Sequence, residues 1–436
     1  MPLSYFPPLP ENIWGNMDGN IELHTDLVNY IELKSQSVSK RNNLIINPNF
    51  KIWQRCANQI AIASKSRLAN TVTLETVQAH GYTDGDEIQI TNMSDSTYDE
   101  PSNVAISYVD STHFSYTNIG SDESNSSELG GFALLTNRCS IAGDNAEFSS
   151  DRWITLHNSN DIVLKPNEVS GISITSNATS KFALMQIVPS KYLEQYLEGK
   201  FSASIKVKSD NNSTVRVAIV SWNSTKDNTN KLAISSWNTI GTNPTLATNW
   251  TYEGISMPYT LSDDYQTIKL EEIEIATTNA NNIALLIWAE STSIGENIVI
   301  DEAQLLTSSE ITDFIPNDYE YDLDSCRKFF MKSYQSNSPL YHISEIGKTI
   351  FPTSYGTSDG NSFGTIHYSE MYQPPFITLM TANNPPTQGV WRVSTGSNIG
   401  VVTADVSEKS FSLINDSGFT ISTSSISGHY VLSAEI

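Results

Sequence analysis

Residues 297–334, NIVIDEAQLLTSSEITDFIPNDYEYDLDSCRKFFMKSY, decide how this chain divides. The stretch opens as a strand, with Ile298 and Ile300 on one face and Val299 on the other, and closes on the aromatic run Phe329, Phe330 and Tyr334. Pro316 lies in the polar passage between them and has no N–H to give to a ladder. A sheet ending near Leu306 therefore hands over here to a second module.

Upstream of the handover, from Asp151 to Leu306, the chain reads as many short strands, among them RWITLH, KFALMQIV, TVRVAIVSW and NIALLIWAE. Their spacing predicts a jelly-roll of two packed antiparallel sheets, with helical periodicity confined to SKYLEQYLEG. Downstream, residues 335–436 give a further series of strands ending in HYVLSAEI, and Ile436 is expected to be tied into a sheet. Near the start, NLIINPNFKIWQR (43–55) reads as strand, turn and strand. From Thr71 to Asn118, four alternating segments separated by acidic turns have the size of a small barrel, followed by the flexible linker SDESNSSELGG. Before all of these lies an arm stiffened by Pro7, Pro8 and Pro10. Trp14 is its candidate anchor, and Leu23, Leu27 and Ile31 recur at helical spacing. Docking on another protein and an undocked terminus are both compatible with such an arm.

The expected fold is thus all-β and multi-domain. It comprises an arm over 1–42, a jelly-roll β-sandwich over 43–70 and 139–310, and an inserted small β-barrel with its linker over 71–138. A seam over 311–334 and a C-terminal β domain over 335–436 complete it.

Composition narrows the function. Hydrophobic residues at 39% suffice for packed cores, while charged residues at 17% and abundant Ser, Thr and Asn suit sheets and polar loops. With 48 acidic against 25 basic residues, the formal charge of −23 argues against nucleic acid as a partner. Neither a basic block nor 18 consecutive apolar residues occurs, so membrane insertion is not expected, and MPLSYFPPLPENIW lacks the pattern of a secretory signal. Cys56, Cys139 and Cys326 are too few and too scattered for a disulfide framework or zinc cluster. Reduced structural cysteines are expected, with a Cys56–Cys139 bridge left open.

Paired-acid and metalloprotease patterns give no catalytic lead: H-E-x-x-H does not occur, and adjacent acids such as Asp263-Asp264, Glu271-Glu272 and Asp301-Glu302 would point to opposite faces of a strand. The acidic runs at 84–87 and 121–123 do not fit a calcium loop, and His80 before Gly81 reads as a capping or packing residue. No enzyme activity, metal or cofactor is expected.

Several motifs in order resemble a family of bacteriophage tail-fibre and tail-appendage proteins. They are Asn43 to Asn47 with Phe50, Trp53, Gln54 and Arg55; Asp151-Arg152-Trp153; Gln304-Leu305 with Thr312 and Phe314; Cys326 to Phe330; Gly428-His429-Tyr430; and Ala434-Glu435-Ile436. The resemblance implies a virion structural protein with a carbohydrate-binding-module-like sandwich, often a homotrimer, that helps recognise the host surface. Its partners would be copies of itself, other tail proteins held by the arm through Trp14, Leu23, Leu27 and Ile31, and a host-surface glycan. Sugar sites need aromatic faces with polar neighbours, which makes Trp222, Trp237, Trp250, Tyr252, Tyr372 and Trp391 the candidates. Core filling is the competing reading for each, above all for Trp288 among its apolar neighbours. Two other functions stay open: a connector or decoration protein that binds no glycan, and a polysaccharide-degrading tailspike.

Overall fold

The computed structural model describes residues 43–436, apart from the longer stretches 335–347, 354–361, 382–387 and 417–423 and several shorter ones. The protein is all-β. One sheet of the sandwich runs in the order Ala146–Phe148, Ile154–His157, Ser180–Val188, Asn282–Thr292, Thr214–Trp222, Trp250–Ile255. The facing sheet runs Gln266–Glu274, Lys200–Ser209, Asn297–Leu306, Ile172–Ser176, Ile162–Pro166, Cys139–Ser140. Between them lies the main core, with Ile174, Phe182, Leu184, Phe201, Ile205, Val217, Ile219 and Leu285 among its buried members. Each such side chain contributes about 1.5–3 kcal/mol when removed from water.

The strand Asn297–Leu306 shows how sequence becomes packing. Ile298 and Ile300 face this core as alternation requires, yet Ala303 and Leu305 face it too. Two residues of this strand oppose one of Lys200–Ser209 between the pairs Ser204↔Gln304 and Lys206↔Asp301, and Glu302 takes a left-handed φ of 48°. That bulge resets the alternation by one residue and keeps both halves of the strand pointing inward.

The first sheet is buried on both faces. Phe182, Leu184 and Val188 enter the main core, whereas Ala183, Met185 and Ile187 enter a second apolar layer on the outer side. Residues 223–249, the connection from Thr214–Trp222 to Trp250–Ile255, lie over that layer and carry the small hairpin Ile234–Ser236 with Thr245–Leu246.

The inserted module is a curled eight-stranded sheet around its own core of Ile62, Val72, Leu74, Tyr82, Ile88, Ile90, Tyr98, Phe114 and Tyr116. Its first strand is Gln59–Leu68, which pairs with Thr71–Thr76, Glu123–Ser127 and Phe132–Leu135. The insert therefore begins upstream of residue 71, and residues 123–127, expected as linker, form one of its strands. His80 is buried here, accepting from Tyr82 N–H and facing the Asp110 and His113 carbonyls, and burial lowers its pKa.

In the C-terminal domain the long strand Ser424–Ser433 is the spine. It pairs with Phe330–Lys332 and Phe376–Met380 along one half and with Thr349–Thr353 and Val390–Val393 along the other. Ile436 lies beyond the strand and packs instead into the outer layer of the sandwich. The seam contains the helix Tyr319–Arg327, where the sequence suggests only a polar passage. Glu320 and Asp322 sit in its first turn and Arg327 in its last, each complementing the helix dipole.

Candidate functional site

Residues of four of the six motifs converge on one joint between sandwich and C-terminal domain. Asn47, at φ 56°, accepts Ile52 N–H (3.0 Å) and donates to Ile52 O (3.1 Å), Ser150 Oγ (2.8 Å) and Asp151 O (3.2 Å). Its carbonyl accepts the Trp153 indole N–H at 3.0 Å, and Trp153 stacks on Phe50 with centroids 4.5 Å apart. Gln54 donates its backbone N–H (3.0 Å) and its side-chain amide to Asp151, and that amide also reaches Phe330 O at 3.2 Å. Glu435, from the last residues of the chain, pairs with both Arg55 and Arg152. The Arg152 guanidinium lies 3.8 Å over the Phe329 ring, and that of Arg55 4.0 Å over Phe330. Lys332 Nζ donates to Gln54 O at 2.8 Å.

This joint is buried and charged. Burial pushes the Asp151 carboxyl up to about 6, against the opposing pull of Arg55 and the Gln54 hydrogen bonds. Burial likewise pushes Lys332 down to about 8. The Asp151 and Glu435 carboxylates are engaged with protein groups, so the arrangement clamps two modules together. Cys326 packs with Ile52 and Leu323 on its flank, and burial raises its thiol well above the ordinary range. It is a packing residue.

The aromatic candidates gather on the outer face of the first sheet. Trp222 and Trp250 are each 5% exposed and lie 5.2 Å apart. Their indole N–H groups donate to Thr225 O (3.0 Å) and Asn230 O (2.9 Å), and Tyr252 OH donates to Pro244 O (2.9 Å). All three acceptors belong to residues 223–249, so these side chains hold that connection down. Arg216 adds a bond to Asn243 Oδ1 at 3.0 Å, and Lys181 donates to Asn238 O. Trp288 is buried in the same layer, 6.2 Å from Tyr252, while Trp237 is half-buried against it.

Asp227 anchors the near end of the connection. Its carboxylate accepts from Ser190 N–H (2.9 Å) and Oγ–H (2.6 Å), Asn282 Nδ2 (2.7 Å) and Tyr372 OH (2.9 Å). Burial alone would raise its pKa, but these donors hold it below the usual value. Tyr372 stacks on Phe329 at 5.2 Å, and burial together with Asp227 pushes its phenol up to about 12. Trp391 stands apart, fully buried in the C-terminal core beside Gly428. Trp14, Leu23, Leu27, Ile31 and Cys56 lie outside the described residues. Sequence reasoning did not single out Asp227 or Lys332, since one acid in a polar loop and one lysine after an aromatic pair carry no distinguishing local pattern. Among the described residues no group of three or more His, Cys, Asp or Glu side chains is placed to hold a metal ion.

No protein-family model and no curated protein matches the chain. Among solved structures it is similar to a carbohydrate-binding module of the β-sandwich superfamily at 10% identity, covering 58% of this chain and 99% of that one, with a TM-score of 0.25. A family 11 carbohydrate-binding module from Clostridium thermocellum, in complex with a mixed-linked tetrasaccharide, aligns at 12% identity over 40% of this chain and 97% of that one, TM-score 0.23. The enzymatically active domain of bacteriophage CBA120 tailspike protein 4 aligns at 10% identity over 35% of this chain and 19% of that one, TM-score 0.21. Scores this low assign neither a family nor an activity.

Proposed function

We propose that this protein is a bacteriophage tail appendage, a virion structural protein that contributes to recognition of a host-surface glycan. One observation carries the reading. Four of the six motifs that resemble the tail-appendage family, far apart in sequence, close on each other in a single buried joint through Asn47, Gln54, Arg55, Asp151, Arg152, Phe329, Phe330 and Glu435. They thus act as one scaffold spanning the chain, which supports likeness of the whole architecture over chance matches. For the glycan, Trp237, half-buried against the outer layer, is the candidate: the other half-buried ones, Tyr252 and Tyr372, have their hydroxyls engaged with Pro244 and Asp227.

An array of bacterial capsule and O-antigen polysaccharides tests this. Binding is expected, weakened by up to about tenfold in Trp237→Ala through loss of a stacked ring worth roughly 0.5–1.5 kcal/mol. Silence across the array would sink the glycan part. One observation favours the connector reading instead: the polar atoms of Trp222, Trp250 and Tyr252 are already spent on the protein's own residues 223–249. Under that reading the chain would also fail to block phage adsorption to host cells. Self-association, a trimer by the resemblance, is read from sedimentation, where a stable 48.2 kDa monomer would contradict it.

A further inference from the structure

The cover over the first sheet differs in charge from the rest of the chain. Across the whole sequence 48 acids stand against 25 lysines and arginines. Residues 223–249 hold only Lys226, Lys231 and a single acid, Asp227. That carboxylate is taken up by donors from Ser190, Asn282 and Tyr372. From the sheet beneath, Lys181 and Arg216 send two more cations into the same cover.

These two cations hold the turn of the small hairpin from both sides. Lys181 Nζ donates to Asn238 O, and Arg216 donates to Asn243 Oδ1 at 3.0 Å and Gly241 O at 3.4 Å. Asn238 Nδ2 closes the turn on Asn243 O at 2.6 Å. Trp237 is the residue directly before this turn, so the Lys181 ammonium is bonded to its neighbour in the chain. Lys181 is half-buried and makes no ion pair with a described carboxylate. Its bond to Asn238 uses one of three ammonium donors and leaves two. An acidic chain repels an anion from afar, but at about 0.15 M salt that field reaches only about 8 Å. The sign of ligand accepted beside Trp237 is then set by the groups bonded to the turn, which are cations.

We propose that the face carrying Trp237 binds an anionic glycan, one with a carboxylate or phosphate on the sugar, and that Lys181 selects for that charge. The inference rests on the glycan reading of this face and adds the charge of the ligand to it. One Lys181 donor keeps the turn in place while the other two meet the anionic oxygens. A lysine serves here as a point charge that does not demand the fixed fork geometry of an arginine.

An array that carries each acidic capsule polysaccharide beside its carboxyl-reduced or dephosphorylated form tests this on the full chain. At about 0.15 M salt the native form of a bound polysaccharide should bind at least about tenfold more tightly than its neutralised form, and at about 1 M salt, where screening acts within about 3 Å, the two should converge. Lys181→Met should bind both forms alike, whereas Lys181→Arg should keep the preference. Because Lys181 also braces the turn, the ratio of the two affinities is the readout rather than either one alone. Lys269→Met, which removes the same charge from the facing sheet, should keep the wild-type ratio. Equal affinity for native and neutralised forms in the wild type would overturn the proposal and leave the glycan reading standing. A preference that survives Lys181→Met would overturn it too, as would duplex DNA bound with the same dependence on Lys181. Silence of every polymer in both forms would sink the proposal together with the glycan reading.

Discussion

Glu435 shows how much one residue carries. Its carboxylate is the shared partner of Arg55 and Arg152, whose side chains are 11% and 2% exposed. Glu435→Gln leaves two buried guanidinium groups short of a counter-charge, which costs roughly 3–5 kcal/mol when one partner of a buried pair is removed. The expected outcome is a lower urea midpoint and easier proteolysis between sandwich and C-terminal domain. Asp151 in the same joint makes stability depend on pH. Its folded pKa of about 6 lies above the ordinary 3.8, so its contribution favours the fold fully below about 4 and is lost as pH rises through 6. The effect reaches about 3 kcal/mol. Urea titrations between pH 4 and 7 should show it, and Asp151→Asn should flatten that part of the profile. Little of this was legible beforehand. Gln54, Arg55, Asp151, Arg152 and Glu435 stood out as motif letters, but Arg55 and Glu435 are 380 positions apart and nothing local pairs them.

Elements were legible where alternation is strong and obscure where packing is two-sided. Ser180–Val188 and Asn282–Thr292 read as strands from their apolar runs, yet those runs do not reveal that residues 223–249 and Ile436 cover the outer face. LAISSW (232–237) reads as a strand, but in the Asn- and Ser-rich stretch 223–249 only Ala233, Ile234, Trp237 and Leu246 hint at something held down. The helix Tyr319–Arg327 escaped because its buried side holds only Asp322, Leu323 and Cys326, too narrow a stripe to stand out. In the spine strand, Gly428 has a definite reason. A Cβ there would sit 2.5 Å from Cγ, Cδ1 and Nε1 of Trp391, a side chain with no exposed surface to move into. Gly428→Ala should therefore destabilise the C-terminal domain by about 1–3 kcal/mol through overpacking. Calorimetry should show a lower midpoint for the transition that the C-terminal domain shares with the sandwich, while that of the insert stays put.

At the scale of the molecule the chain is a series of separately cored β modules, and they differ in how they are joined. The C-terminal domain is tied to the sandwich by Glu435, Lys332, Tyr372 and Ile436, so those two should unfold as coupled units. The insert is different. All its described strands pair among themselves, its core has no member from the sandwich, and its buried Lys65–Glu128 pair, joined by Ser94, is satisfied internally. A module of this length is near the lower limit for folding alone, but a closed core and an internally matched ion pair place it within reach. Replacing residues 59–135 by a short Gly-Ser linker should leave the stability of the remainder unchanged to within about 0.5 kcal/mol, as for sites without shared partners. Residues 59–135 expressed alone should show a cooperative β-sheet melting transition by circular dichroism. If the excised chain instead loses the sandwich transition, the insert supports the sandwich across contacts that strand pairing does not reveal.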